Sequence, residues 1–190
     1  MQATRLTLIC HARTLAQTLA RFPEDEPLAM DWQSARGSRG ARFKAASRLL
    51  CAPELRTRQT AELFGKPVEI VAALRDCDFG LWRGMRISEL QKNQGELLQA
   101  WLADPHSAPH GGESVAQVGE RVGAWLKTLE ASPGHVLAVT HPFIMRAALM
   151  QVLQGSASSL IDVEPLATLD LQFHGCWRLR LACSDNEGML

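Results

Sequence analysis

No charge of one sign dominates this sequence: its 20 lysines and arginines are matched by 20 aspartates and glutamates. Without a global field, nucleic acid and anionic membrane surfaces are not expected as partners, and any anion site has to be built locally. Also missing is an apolar run approaching the ~20 residues of a membrane-spanning helix. The first residues carry one early arginine but no apolar stretch followed by a small-residue cleavage site, so the cytoplasm is the expected location. Cys10, Cys51, Cys77, Cys176 and Cys183 are odd in number, widely spaced and free of any Cys-x-x-Cys pair. That pattern fits neither a disulfide framework nor a zinc knuckle and reads as reduced thiols. There is no internal repeat and no low-complexity tract.

What is present suffices for one domain over residues 1–190, since 190 residues at 46% hydrophobic can bury a full core. Residues 5–10, "RLTLIC", read as a buried strand. Residues 15–46 hold Pro23 and Pro27 in an acidic "RFPEDEPL", then the polar, cationic "SARGSRGARFK", and are expected to form a loop with a short helix. "SRLLCAP" (47–53) reads as a second strand and "ELRTRQTAELFG" (54–65) as a helix closed by Gly65. After a brief "PVEIV" strand, "ALRDCDFGLWRGM" is too rich in Gly, Asp and aromatic residues for a regular element, and a helix over 87–105 stops at Pro105. Ser114 and Gln117 form a capping box ahead of an amphipathic helix of about four turns. "HVLAVT" (135–140) is a continuous apolar strand, "FIMRAALMQVL" (143–153) a helix ended by Gly155, and "ATLDLQF" and "CWRLRLAC" a hairpin about His174-Gly175. Strands alternating with helices predict an α/β sandwich whose sheet is buried on both faces.

Two of these strands end immediately before a histidine, His11 and His141. Parallel strands ending alike bring both imidazoles to the crevice at their carboxyl ends, where open α/β sheets hold ligands. The strand over 47–53 leads to Arg56 and Arg58 at the start of a helix, a place that already favours an anion. Two histidines and an arginine so placed describe a phosphate pocket.

Five segments, "LTLICHART", "APELRTRQTAE", "LRDCDFGLWRG", "HGGES" and "VLAVTHPFIMRAAL", resemble the motifs of the histidine phosphatase superfamily, also called phosphoglycerate mutase-like, in order and spacing. The resemblance spans residues 5–150, and it implies a three-layer α/β/α sandwich with a mostly parallel central sheet. It further implies a phosphomonoesterase that acts on a small phosphorylated substrate without cofactor or metal. His11 is then the nucleophile that becomes phosphorylated, Arg56 and His141 hold the phosphoryl oxygens, and Asp76 is the proton donor. The chemistry explains these types: the nucleophile has to be neutral imidazole near pH 7, and the acid has to keep a proton until the ester oxygen leaves. Arg13, Thr14, Gln17, Arg21, Arg83 and Glu113 are expected to contact substrate, with Arg86 a further candidate at the rim.

The departures from the family pattern lie in the same segments. Cys10 stands where the family has the arginine before its nucleophile, and Pro142, which has no N–H, follows the second histidine. Removing one oxyanion donor costs ~10²–10³ in rate, against total accelerations of ~10⁶ or more, so a slower enzyme is expected rather than none. Arg13 is the candidate to compensate, and an arginine restored at position 10 is expected to find open room at the crevice. The alternative is a weak or inactive member that binds a phosphorylated ligand. A mutase is less favoured because residues 15–46 are short for holding a bisphosphate, and a thiol or zinc site built from Cys10, Cys51 and Cys77 ranks third. His106, His110, His135 and His174 are expected in solvent, and Trp82, Trp101, Trp125 and Trp177 in packing, with Trp82 also a candidate wall of the cleft.

Overall fold

A computed structural model describes residues 3–29, 46–155 and 161–181. The cationic tract expected as loop falls mostly in 30–45, outside the described residues, as does Cys183. In chain order the elements are β1 (Thr4–Cys10), α1 (Leu15–Thr18), β2 (Arg48–Cys51), α2 (Leu55–Glu62), β3 (Val68–Ile70), α3 (Ile87–Ala103), α4 (Val115–Leu129), β4 (Gly134–Thr140), α5 (Pro142–Leu153), β5 (Thr168–Phe173) and β6 (Trp177–Arg180). Short 3₁₀ turns cover Ala72–Leu74 and Gly80–Trp82 in the segment too irregular for a regular element.

One six-stranded sheet carries the fold in the order β3-β2-β4-β1-β5-β6. The first four strands are parallel to their neighbours, while β5 runs antiparallel to β1 and β6 antiparallel to β5. The period-2 side-chain alternation of strands explains why these runs are apolar throughout. Leu6, Leu8 and Cys10 of β1, Leu50 of β2, and Val136 and Ala138 of β4 face one core with residues of α3, α4 and α5. Ile9, Leu49, Cys51, Leu137 and Val139 face the other, with Ala61 of α2 and Phe64. Helices cover both faces, which gives the three layers.

Helix ends follow the sequence signals closely. Ser114 Oγ accepts the Gln117 N–H at 3.2 Å while Gln117 Oε1 accepts the Ser114 N–H at 2.8 Å, closing the expected box. At the far end of α5 it is Gln154, not Gly155, that takes the left-handed conformation, with φ 52°.

His110 corrects one expectation: it is fully buried, its Nδ1 accepting the Gly112 N–H at 3.0 Å and its ring meeting Trp82 edge-on at 4.8 Å. Burial lowers its pKa. Glycines make this packing possible, because a Cβ at Gly112 would lie 1.9 Å from Asp78 O and one at Gly80 2.1 Å from His110 O. The loop holding "HGGES" is thereby pressed onto the segment holding "DCDFG". Trp82 belongs to the same packing: its Nε1 donates to Gln94 Oε1 at 3.1 Å where α3 kinks, and it does not wall the cleft.

Candidate active site

β1 and β4 are adjacent and parallel, with Cys10 paired to Thr140, so the next residue on each is a histidine. The His11 N–H donates to Thr140 O at 2.9 Å, and the His11 and His141 ring centroids lie 5.3 Å apart at 63°. Helix α2 begins four residues after β2 and buries Arg56 in its first turn. Its Thr60 binds the connection after the first histidine, Oγ1 accepting the Ala12 N–H at 3.0 Å while donating to Arg56 O at 2.7 Å. Asp76 follows the Ala72–Leu74 turn and meets Arg56 from the other side.

His11 Nδ1 lies 2.8 Å from Ala12 O. A carbonyl can only accept, so Nδ1 carries the proton and Nε2 keeps its lone pair. Burial first, then the charges of His141 and Arg56, lower the ring's pKa to about 3. It is therefore neutral at pH 7, with its N–H fixed and the opposite nitrogen available to attack an electrophile.

Arg56 donates from Nη2 to Asp76 Oδ2 and from Nη1 to Glu24 O, both at 2.7 Å, while its buried Nε has no partner. Asp76 Oδ1 accepts the Cys77 N–H at 2.9 Å. His141 Nε2 is 2.9 Å from Glu54 Oε2, and its buried Nδ1 is 3.4 Å from Asp76 Oδ2 without a hydrogen bond. The two unpartnered nitrogens belong to the two residues expected to hold an oxyanion. Buried polar groups left unpaired in this way mark places for a ligand or water.

Glu54 is the residue that sequence reading missed. It stands just before α2, where a carboxylate reads as an ordinary helix-start residue. Here it caps nothing: Asp25 Oδ1 accepts the Leu55 N–H at 2.7 Å, and Glu54 turns into the site, where Oε1 accepts the Asp76 N–H at 2.9 Å. Burial pushes its carboxyl up, but the hydrogen bond and charge of His141 and two backbone N–H groups outweigh this and hold its pKa at about 2.

A cavity of about 420 Å³ opens beside Glu54, Arg56 and Asp76, lined by five carboxylates, Glu24, Asp25, Glu54, Asp76 and Asp78, against three guanidiniums, Arg56, Arg75 and Arg83; His11 and His141 are buried behind these residues and are not part of its lining. Of the residues expected to contact substrate, Arg83 lines it, and its Nη2 is held by Asp78 Oδ1 at 2.9 Å. Arg21 is held by Glu24 at 2.9 Å and Glu26 at 2.5 Å. Arg13 and Arg86 are exposed and lie outside the lining. Thr14 is buried, and its N–H donates to Gln17 Oε1 at 3.1 Å, an arrangement that starts α1. Glu113 also lies outside the lining: its carboxylate accepts Arg121 Nε and Nη2 at 3.0 and 2.9 Å, Arg75 Nη2 at 2.6 Å and the Asp78 N–H at 3.1 Å.

The open room expected at position 10 is absent. Cys10 points into the core and is fully buried, and burial followed by the charge of Asp76 pushes its thiol up to about 12. Cys51 lies in the core on the opposite face of the sheet from Cys10 and Cys77, so the three thiols do not converge.

The family model of the histidine phosphatase superfamily (branch 1) matches residues 6–176. An acid phosphatase of Mycobacterium tuberculosis is 34% identical over 109 residues, 56% of this chain and 51% of that protein. Phosphoserine phosphatase 1 of Hydrogenobacter thermophilus is 31% identical over 93 residues, 46% of this chain and 44% of that protein. The matched regions thus span about half the length of these curated relatives. Among solved structures, a mycobacterial glucosyl-3-phosphoglycerate phosphatase in complex with VO3 superposes with a TM-score of 0.81 at 22% identity, covering 93% of this chain and 97% of that one. That likeness is one of fold.

Proposed function

The chain belongs to the histidine phosphatase superfamily, and from that membership we propose that it is a phosphomonoesterase acting on a small phosphorylated metabolite through a phosphohistidine at His11. The observation that carries this reading is the contact between His11 Nδ1 and Ala12 O at 2.8 Å: a carbonyl only accepts, so the proton is assigned to Nδ1 and Nε2 of the ring next to His141 keeps its lone pair. In the first step Nε2 bonds to phosphorus as the phosphorus–ester oxygen bond breaks, and the electron pair leaves on that oxygen, which takes a proton from Asp76. The oxygen of a water molecule then bonds to phosphorus as the phosphorus–Nε2 bond breaks and its electron pair returns to Nε2; the water proton goes to the Asp76 carboxylate, and phosphate leaves. Arg56 supplies positive charge to the transferring oxygens, the work that a metal ion does in other phosphatases, and His141, protonated or as a neutral donor, supplies a further contact.

The test is hydrolysis of a panel of phosphomonoesters, with and without EDTA, beside His11→Ala. Turnover that EDTA leaves intact and His11→Ala abolishes supports the reading, as does an acid-labile phosphoenzyme trapped from labelled substrate. Full turnover by His11→Ala defeats it. One observation favours the second reading, a weak or inactive phospho-ligand binder: Glu54 and Asp76 already occupy His141 Nε2 and Arg56 Nη2. Tight binding of vanadate without measurable turnover on any ester selects that alternative.

A further inference from the structure

We propose that the phosphomonoester this site takes carries a positive charge on its alcohol portion, and that Glu54 is the carboxylate that receives it. The proposal rests on the phosphatase reading above and adds the chemical class of the leaving group.

The floor of the site calls for an anion, because Arg56 Nε and His141 Nδ1 are buried and unpartnered. The mouth calls for the opposite charge. Five carboxylates line the cavity against three guanidiniums, and the guanidiniums are already engaged: Arg75 shares Glu113 with Arg121, Arg83 meets Asp78 at 2.9 Å and Arg56 meets Asp76 at 2.7 Å, while Arg21 reaches Glu24 from outside the lining. A second anionic group on the substrate would have to draw Arg75 or Arg83 away from a carboxylate it already meets. It would also meet Asp25, whose carboxylate has only the Leu55 N–H as partner there.

Phosphate binding sharpens this polarity. When phosphoryl oxygens take His141 Nε2 and a share of Arg56, Glu54 Oε2 loses its present partner and Asp76 gives up part of its own. Asp76 can carry a proton in its acid role. Glu54 keeps the Asp76 N–H on Oε1 at 2.9 Å but has lost the partner of Oε2, and it lies next to the arriving phosphate. Two anions side by side in a partly desolvated cavity are costly unless a cation lies between or beside them. An ammonium a few bonds from the phosphorus satisfies Glu54 as the phosphate takes its former partner, so an amino-alcohol monophosphate fits both ends. A cavity of about 420 Å³ has room for a molecule of that size.

Phosphonates separate this inference from the catalytic one, because they bind a phosphate site without being hydrolysed. Calorimetry with the full chain near pH 9 compares 2-aminoethylphosphonate, ethylphosphonate and phosphonoacetate, conditions in which all three phosphonate groups are largely dianionic and the amine keeps its proton. The expected order is aminoethyl tightest, by ~5-fold over ethyl, with phosphonoacetate weakest, ~5-fold being the upper size of one partly exposed ion pair. In Glu54→Gln the aminoethyl advantage should shrink to ~3-fold or less. Equal binding of aminoethyl and ethyl, or phosphonoacetate tightest, overturns the proposal on the wild-type protein alone, whether or not the variant folds. No binding of any of the three overturns it together with the phosphate-site reading. Charge-blind binding with turnover of simple esters leaves the phosphatase reading standing and removes only this one.

Discussion

Arg56 Nη2 and Asp76 Oδ2 lie 2.7 Å apart, so in the resting site the principal cation and the proposed proton donor are partners. The arginine is nearly inaccessible, and its second arm is fixed on Glu24 O. Substrate entering the site has to share Arg56 with Asp76, which would bring the carboxyl group next to the transferring phosphoryl. That is where an acid has to be when the ester oxygen departs.

Asp76→Asn should therefore be selective in its damage. A p-nitrophenolate leaves with little help from a proton, whereas an alkoxide does not, so kcat on an alkyl phosphate should fall by ~10²–10⁴ and kcat on p-nitrophenyl phosphate far less. Steady-state kinetics on the two esters checks this. Equal losses on both remove Asp76 from the acid role and leave it as the partner that orients Arg56.

The pH dependence of stability has a sign set by burial. His11, lowered by burial first and then by His141 and Arg56, titrates at about 3 in the folded chain against 6.5 when free. Between those values the unfolded chain binds a proton there that the folded chain does not. Stability is thus fully present above about pH 6.5 and is lost progressively as pH falls toward 3. Glu54, lowered from 4.5 to about 2 against the effect of its burial, adds a further loss below pH 4.5. Urea midpoints should decline from pH 7 to pH 4, and His11→Gln should flatten the decline between 6.5 and 4.5. His110 and His135, both lowered by burial, leave a residual slope in that variant. An unchanged slope in His11→Gln would mean that the folded ring takes up its proton as readily as the free one.

Much of this site was legible because its parts follow strand ends. The apolar runs ending at His11 and His141 and the Ser114 capping box are local signals, and the sheet turns the first two into neighbours through the Cys10–Thr140 register. The charged residues were harder to assign. Arg21, Arg83 and Glu113 read from the sequence as substrate contacts; of the three only Arg83 lines the cavity, and their partners Glu24, Glu26, Asp78 and Arg121 are brought to them only by the folded chain. Glu54 stays hidden for a related reason: a carboxylate at a helix start needs no special explanation until Asp25, 30 residues before Leu55 in sequence, is seen to take the capping role. A position in a loop makes His110 read as wet, whereas the chain uses Gly112 of that loop and Gly80 of the facing segment for close contact that buries it.

Thiol reactivity gives an independent check on the layers. Cys10, Cys51 and Cys77 are buried, and burial pushes all three thiols up, Cys10 to about 12 and Cys51 to about 11. Since the thiolate is the reactive form, none of the three should label with iodoacetamide at pH 8 in the folded protein, while the exposed Cys176 should. Peptide mapping by mass spectrometry before and after unfolding in urea decides it. Fast native labelling of Cys10 would show that the end of β1 opens to solvent.

The same burial turns the question of the missing arginine around. Cys10 lies in the core, so Cys10→Arg has to find a path for a long charged side chain through packed residues next to Leu8 and the α5 face, with Asp76 the carboxylate whose charge reaches it. The expected outcome is a loss of about 2–4 kcal/mol in stability and no gain in kcat/KM, the penalty of a buried charge imperfectly paired. Arg13 is exposed and outside the cavity lining, so Arg13→Ala should change kcat/KM by less than ~3-fold, as surface charges commonly do. Urea melts and kinetics on the two single variants test both halves. If Cys10→Arg instead keeps its stability and gains ~10-fold or more, the guanidinium has reached the phosphoryl oxygens and the thiol at position 10 is what limits the wild type. If Arg13→Ala loses ~10²-fold, its side chain folds back over the site when substrate is bound, and the compensation absent from the resting structure is supplied on binding.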